Sequence, residues 1–123
     1  MTRRPRTILY VCDFNAHGGT QTHLLHLLAG LDRSRFAPML ATLNLDRGLA
    51  EKLAALDADV VDLGLKGALR PSTWAAALSL SRRARRRADL VHGYLFQGNI
   101  LAAAVSRLSG VACITSVRNV DAW

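Results

Sequence analysis

One short stretch near the N-terminus has residue types that bind anions. Gly18, Gly19 and Thr20 lie between an apolar run and a leucine-rich segment. Where glycines open a helix, free backbone N–H groups and the positive end of the helix dipole attract a negatively charged ligand. The bland alternative is a turn in which glycine supplies a positive φ angle. The residues by themselves leave both interpretations open.

Other polar residues follow later apolar runs. His92 and Tyr94 are two apart in a predicted strand, so both side chains point to one side of the sheet, where either can donate to a ligand oxygen. Arg118 and Asn119 can clamp a phosphate or a carboxylate. The ordinary alternatives are core packing for the first pair and a capped loop for the second. His23 and His26 are predicted at the surface or boundary of a helix, away from this edge.

Several specific motifs are missing from the sequence. It has neither the dinucleotide fingerprint G-x-G-x-x-G nor the phosphate loop G-x-x-x-x-G-K-[ST]. Cys12 and Cys113 lack metal-ligand spacing and are predicted to be buried free thiols. We therefore predict no metal site and no resident cofactor. The apolar run Ile8 to Cys12 is too short for a signal peptide or a membrane span, so a cytoplasmic location is predicted.

The charge balance favours anionic partners. The formal net charge is +7, from 16 Lys and Arg against 9 Asp and Glu, and much of it lies in the N-terminal tail and in residues 82–87. Four arginines are predicted to project from one helix, opposite its buried stripe: Arg82, Arg83, Arg86 and Arg87. Such a run is usually a solvated helix face. Peripheral contact with an anionic membrane is the sharper hypothesis.

Two periodicities alternate along the chain. Apolar, partly β-branched runs predict strands at residues 7–14, 36–43, 58–65, 89–95 and 111–117. Helical spacing predicts helices at residues 20–31, 48–56, 71–87 and 99–108. The acids Asp59 and Asp62 predict an edge position for the third strand. The buried stripe predicted for the third helix consists of Trp74, Ala77, Leu78, Ser81 and Ala84.

This alternation predicts an α/β fold. Apolar strands joined by amphipathic helices form a parallel sheet covered on both faces, and right-handed crossovers favour a Rossmann-like doubly wound sheet in the order β-α-β-α-β-α-β-α-β. Residues 1–6 are predicted to be a basic tail and residues 7–123 one domain. Ligands bind such sheets beyond the carboxyl ends of the strands. The polar residues introduced above follow their strands at that edge.

Two long stretches resemble a known family. RTILYVCDFNAHGGTQTHLLHLLAGLDRSRF and ADLVHGYLFQGNILAAAVSRLSGVACITSVRN resemble the N-terminal, acceptor-side domain of retaining glycosyltransferases of family four, which have the GT-B fold. The resemblance implies transfer of a sugar from a nucleotide-sugar donor to a glycan or lipid acceptor, with retention. It implies that Gly18 and Gly19 face the donor diphosphate. It also implies that His92 and Tyr94 line the acceptor side.

The sequence departs from the family pattern in three respects. Gln21 stands where the family often has glutamate, and Tyr94 stands where it often has a second histidine. Tyrosine still donates a hydrogen bond but does not titrate near neutrality. GT-B enzymes place the active site between two Rossmann-like domains, and these 123 residues contain no counterpart of the C-terminal, donor-binding one. We therefore expect a partial N-terminal domain that is inactive by itself.

Three other classes of protein share the β/α rhythm. A phospho-receiver domain needs paired acids after the first strand and a lysine after the fifth, and a nicotinamide-binding domain needs its glycine fingerprint. This sequence has none of these features, so both classes are disfavoured. The main alternative is a non-catalytic, basic Rossmann-like module that binds nucleic acid or another anionic ligand. Nucleic-acid binding would need stacking aromatics or a recognition helix. Because only Trp74 and Trp123 are left for that purpose, no nucleic-acid partner is expected.

Overall fold

All nine predicted elements form, and their order along the chain is the predicted one. The computed structural model describes residues 4–14, 18–65 and 71–117. The strands are β1 (Arg6–Val11), β2 (Phe36–Thr42), β3 (Asp59–Asp62), β4 (Leu90–Tyr94) and β5 (Cys113–Ser116). The helices are α1 (Gly19–Gly30), α2 (Arg47–Ala54), α3 (Pro71–Arg87) and α4 (Leu95–Ser109).

The five strands form one parallel sheet in the order β3-β2-β1-β4-β5. The chain winds outward from β1 through β2 to β3, and then returns to the opposite side of β1 for β4. The direction of winding therefore reverses between β1 and β4, which are hydrogen-bonded neighbours. This order confirms the Rossmann-like doubly wound sheet and the predicted edge position of β3.

Two separate cores cover the two faces of the sheet. Leu9 and Val11 of β1 point into a core completed by α3 and α4, whereas Tyr10 points into a core completed by α1 and α2. This alternation follows from the two-residue period of a strand. Helices on both faces explain why the central strands are apolar throughout.

The side of α3 that is buried differs from the prediction. The buried residues are Thr73, Ala77, Leu80, Ser81 and Ala84. Trp74 and Leu78, predicted to be buried, are 53% and 44% exposed. Because α3 packs on α4 and shares a core with the sheet, mostly small side chains occupy the contact, where they let the helices approach closely. The two largest apolar side chains of the predicted stripe are left on the outside.

The start of α4 also differs from the prediction. The helix begins at Leu95, directly after β4, rather than at residue 99. Leu95 has a φ of 65°, a left-handed conformation that is unusual for a leucine and lets the chain turn from strand to helix in one step. A Cβ atom at Gly98 would lie 2.6 Å from the carbonyl oxygen of Val11. The first turn of α4 therefore lies closely against the end of β1.

Candidate functional site

The point where the winding reverses lies at the carboxyl edge of the sheet, where open α/β sheets have their ligand-binding crevice. Val11 at the end of β1 pairs with Gly93 near the end of β4. From these ends α1 starts over one face of the sheet and α4 over the other. We call this region the switch-point crevice and define it by residues 18–20 and 94–96 at the two helix starts. Open α/β sheets bind ligands at this kind of position.

Both helices at the crevice start without a side-chain cap. Gly18, the N-cap of α1, has no side chain, and the side chain of Tyr94, the N-cap of α4, makes no capping hydrogen bond. The first turn of each helix holds no acid. In α2, by contrast, a carboxylate oxygen of Asp46 accepts a hydrogen bond from the Leu49 N–H at 3.2 Å. The uncapped N–H groups of α1 and α4 thus give the crevice two partly positive helix ends.

The structure tests the turn interpretation of the glycine pair. Gly18 has a φ of −162°, an extended conformation that any residue adopts, so the alternative of a positive-φ turn does not apply there. A Cβ atom at Gly18 would lie 2.7 Å from Oε1 of Gln21, whereas one at Gly19 would have no described atom within 4 Å. Packing against Gln21 therefore explains Gly18. Among the described residues, neither backbone strain nor packing explains Gly19.

The connection from β1 to α1 is held against the end of β2. The Phe14 N–H donates to Oγ1 of Thr42 at 3.0 Å, and the Asp46 N–H donates to the Phe14 carbonyl oxygen at 2.8 Å. Nε2 of the buried Gln21 donates to the Asp13 carbonyl oxygen at 2.8 Å. Glutamate would lack this N–H donor, so the departure from the family pattern has a structural role. These bonds position Gly18 at the crevice.

Four aromatic rings cluster beside the crevice on the face that α1 covers: Tyr10, His23, His92 and Tyr94. The rings of His92 and Tyr94 stack with centroids 4.4 Å apart, in agreement with their predicted shared face. The ring of His23 lies 6.3 Å from that of Tyr94, so the prediction that His23 lies away from the binding edge is wrong. Tyr94 is only 2% exposed. Its ring is therefore part of the core, while that of His92 is half-buried.

The surroundings of His92 favour its neutral form and orient its ring. Burial lowers its pKa from the ordinary 6.5, and the nearby His23 lowers the pKa further. Nε2 of His92 lies 2.8 Å from Oγ of Ser116, and Nδ2 of Asn99 donates to the Ser116 carbonyl oxygen at 3.0 Å. Asn99 was not predicted as a site residue because its role depends on how α4 sits over β5.

The other candidate residues contribute less. Thr20 lies half-buried in the first turn of α1. Burial and the charge of Asp13 raise the pKa of the Cys12 thiol to about 12, and burial raises that of the half-buried Cys113. Both cysteines are free, but Cys113 is less buried than predicted. Arg118 and Asn119 lie outside the described residues.

Metal-binding clusters and membrane-spanning helices were both sought in the described part of the chain. Within residues 4–14, 18–65 and 71–117, no group of three His, Cys, Asp or Glu side chains is placed to hold a metal ion. None of the helices in these ranges is both long enough and apolar enough to span a bilayer.

Comparison with known proteins identifies the family. The family described as "Glycosyl transferase 4-like domain" has a sequence model that matches residues 18–123. The chain belongs to this family. The match includes both helix starts that define the switch-point crevice, since it begins at Gly18 and extends beyond β4 and α4. No curated protein sequence matches this glycosyl transferase 4-like chain.

Two solved structures share the fold of the glycosyl transferase 4-like chain. A glycosyltransferase from Rickettsia africae ESF-5 superposes with a TM-score of 0.72 at 15% identity, over 92% of this chain and 30% of that one. A mutant O-GlcNAc transferase from Thermobaculum terrenum superposes with a TM-score of 0.63 at 18% identity, over 91% of this chain and 20% of that one. The fold is thus that of one Rossmann-like half of a GT-B glycosyltransferase. The chain spans less than a third of either protein.

Proposed function

We propose that the chain forms the acceptor-side wall of a glycosyltransferase cleft, and that its switch-point crevice receives the diphosphate of a nucleotide-sugar donor. The observation that carries this proposal is that two helices without side-chain caps start at this edge of the sheet, one of them at Gly19, where neither strain nor packing against a described residue explains a glycine. Two partly positive helix ends suit a diphosphate. Because Gly19 has no side chain, the oxygens of the diphosphate can reach the backbone N–H groups at the helix start.

The proposed chemistry is glycosyl transfer with retention. The bond between the anomeric carbon and the diphosphate oxygen breaks, and the acceptor oxygen bonds to that carbon on the same face of the sugar. The acceptor's proton leaves with the departing diphosphate. Negative charge grows on the leaving oxygen during this step. Backbone N–H groups fixed in place before the reaction stabilise that charge without reorganising, so Gly19 and the start of α4 would favour departure of the diphosphate.

We assign different roles to His92 and Tyr94. His92 is half-buried, uncharged at neutral pH and oriented by Ser116, so it can hydrogen-bond a hydroxyl of the transferred sugar or of the acceptor. Tyr94 is almost fully buried, and its ring stacks on that of His92. It therefore acts as the support that sets the plane of the imidazole ring. Thr20, Arg118 and Asn119 remain proposed substrate contacts.

The remainder of the cleft is proposed to come from a second, donor-binding domain. The chain covers 30% and 20% of the two solved structures, and its own crevice offers a diphosphate site but no described surface that would grip a nucleotide base. Transfer requires donor and acceptor to be held together. We therefore expect the chain alone to bind a diphosphate weakly and to transfer no sugar. The acceptor is proposed to be a glycan or a lipid at the cytoplasmic face of a membrane.

The test uses the 123-residue chain itself. Backbone amide NMR spectra are recorded during titration with uridine diphosphate and with inorganic pyrophosphate. We expect the largest shifts at Gly18, Gly19, Thr20 and Leu95, and at least a tenfold weaker affinity in Gly19→Val. The control is Gly30→Val, at the other end of α1, where a Cβ atom also has no described neighbour within 4 Å. This variant is expected to bind like the unmodified chain.

Two outcomes would contradict the proposal. Shifts confined to α3, with none at the crevice, would favour the alternative of a non-catalytic basic module for anionic ligands. Release of nucleotide from sugar nucleotides by the chain alone, at an ordinary enzyme rate, would overturn the requirement for a second domain.

A further inference from the structure

The outer face of α3 combines positive charge with exposed apolar side chains, and the proposed crevice makes no use of it. Arg82, Arg83 and Arg86 are exposed, and so are Trp74 and Leu78 earlier in the same helix. Seventeen residues of helix extend over about 25 Å. The combination therefore forms one continuous surface along the whole length of α3.

Most of the charge on this face has no described counter-ion. Arg87 pairs with Asp59 at 3.0 Å, and Arg85 donates to the Leu108 carbonyl oxygen at 2.7 Å. No carboxylate in the described ranges pairs with Arg82, Arg83 or Arg86. Four arginines and Ser79 line a groove of about 380 Å³: Arg82, Arg83, Arg86 and Arg87. Like charges brought together in this way create a positive potential that attracts an anionic partner.

The order of the residues along α3 indicates which anionic partner fits. Trp74, Leu78, Arg82 and Arg86 follow one another at intervals of four residues, so they form one row along the outer surface. At a bilayer surface, tryptophan and leucine enter the boundary between headgroups and acyl chains, while arginine binds the phosphates. A nucleic acid would neutralise the arginines but would leave Leu78 exposed to water.

We propose that α3 lies flat on an anionic lipid bilayer, with Trp74 and Leu78 in the interface and Arg82, Arg83 and Arg86 on lipid phosphates. Because α3 follows one parallel strand and precedes the next, its N-terminus lies at the carboxyl edge of the sheet. The switch-point crevice opens at the same edge. Contact through α3 would therefore bring the crevice close to the bilayer. The proposal concerns the surface of α3 alone and stands independently of sugar transfer.

The first experiment measures sedimentation of the full chain with vesicles. We expect binding to vesicles that contain phosphatidylserine and none to pure phosphatidylcholine. Each surface arginine contributes about fivefold to binding, so the triple variant Arg82→Gln, Arg83→Gln and Arg86→Gln should bind about 100-fold more weakly. The control removes the same charge from other exposed sites, as Arg6→Gln, Arg47→Gln and Lys52→Gln. It should stay within about threefold of the unmodified chain.

The second experiment follows the fluorescence of Trp74 in a Trp123→Phe background. We expect a blue shift with phosphatidylserine vesicles and quenching by brominated lipids, and weaker binding in Leu78→Ser. Thermal melting is used to verify that each variant is folded. Three results would overturn the proposal: equal binding to neutral and anionic vesicles, equal losses in the two triple variants, or an unshifted Trp74. Tighter binding to an RNA or DNA oligonucleotide than to anionic vesicles would also overturn it, and would favour a nucleic-acid module.

Discussion

Nε2 of His92 lies 2.8 Å from Oγ of Ser116, and this contact joins β4 to β5 at the edge of the switch-point crevice. Asn99 of α4 holds the Ser116 backbone at 3.0 Å, and Tyr94 stacks on the imidazole ring. Two strands and a helix therefore determine the orientation of one half-buried ring. A ring held in this way is positioned before any ligand arrives, which is what a contact to a sugar hydroxyl requires.

Replacing His23 with glutamine should raise the pKa of His92. The charge of His23 is one of the two causes that lower this pKa; burial is the larger and remains in the variant, so the pKa should stay below 6.5. NMR titration of the His92 C2 proton measures the change. His26→Gln, on the exposed side of α1, is the control and should leave the titration unchanged. A His92 pKa that stays constant or falls in His23→Gln would contradict the proposed coupling.

Acid should destabilise the chain in part through His92. Because the pKa of His92 is lower in the folded state than the unfolded value of 6.5, the unfolded state takes up the proton first. The stability that His92 contributes is thus fully present above pH 6.5. It is lost as the pH falls through the pKa that His92 has in the folded state. Urea unfolding at about pH 7.5 and about pH 5.5 should show a smaller loss for His92→Gln than for the unmodified chain. Equal losses would show that other groups cause the acid sensitivity.

Alanine at the two crevice glycines should change stability in opposite directions. Gly19→Ala introduces a better helix former into open space and should raise the free energy of unfolding by about 0.5 kcal/mol. Gly18→Ala displaces Gln21 from its hydrogen bond to the Asp13 carbonyl oxygen, and this should lower the free energy of unfolding by about 1 kcal/mol. Urea unfolding measures both. A loss of stability in Gly19→Ala would mean that position 19 has a packing role, and the argument for an open diphosphate site would fail.

Alanine at Gly98 should destabilise the junction between α4 and β1. The new Cβ atom would lie 2.6 Å from the Val11 carbonyl oxygen, a backbone atom, so α4 must shift. We expect a loss of about 1–3 kcal/mol in the free energy of unfolding. Gly30→Ala is the matched control, since its Cβ atom has no described neighbour within 4 Å. If both variants unfold at the same urea concentration, α4 lies less closely on β1 than described.

Local patterns were sufficient to predict the elements and their order. Alternation between strand and helix periodicities depends on neighbouring residues only, so the nine elements could be predicted without knowing what packs against them. The edge position of β3 was predicted from Asp59 and Asp62, because charged residues are tolerated at the side of a sheet. The start of α4 was missed because the apolar run through Leu95 has the composition of a strand, and only the φ of Leu95 ends it.

Which side chains meet was decided by the tertiary structure. The sequence by itself determined an α/β chain with a glycine pair at one helix start and His92 beside Tyr94 on one strand. The packing of α1 brings His23 to Tyr94, and the packing of α3 on α4 leaves Trp74 outside. The register of β4 and β5 pairs His92 with Ile114, which brings Ser116, two residues further on, within hydrogen-bond distance of His92. These contacts join residues far apart in the chain. Their geometry depends on strand register and helix packing, which the periodicity of a single segment does not contain.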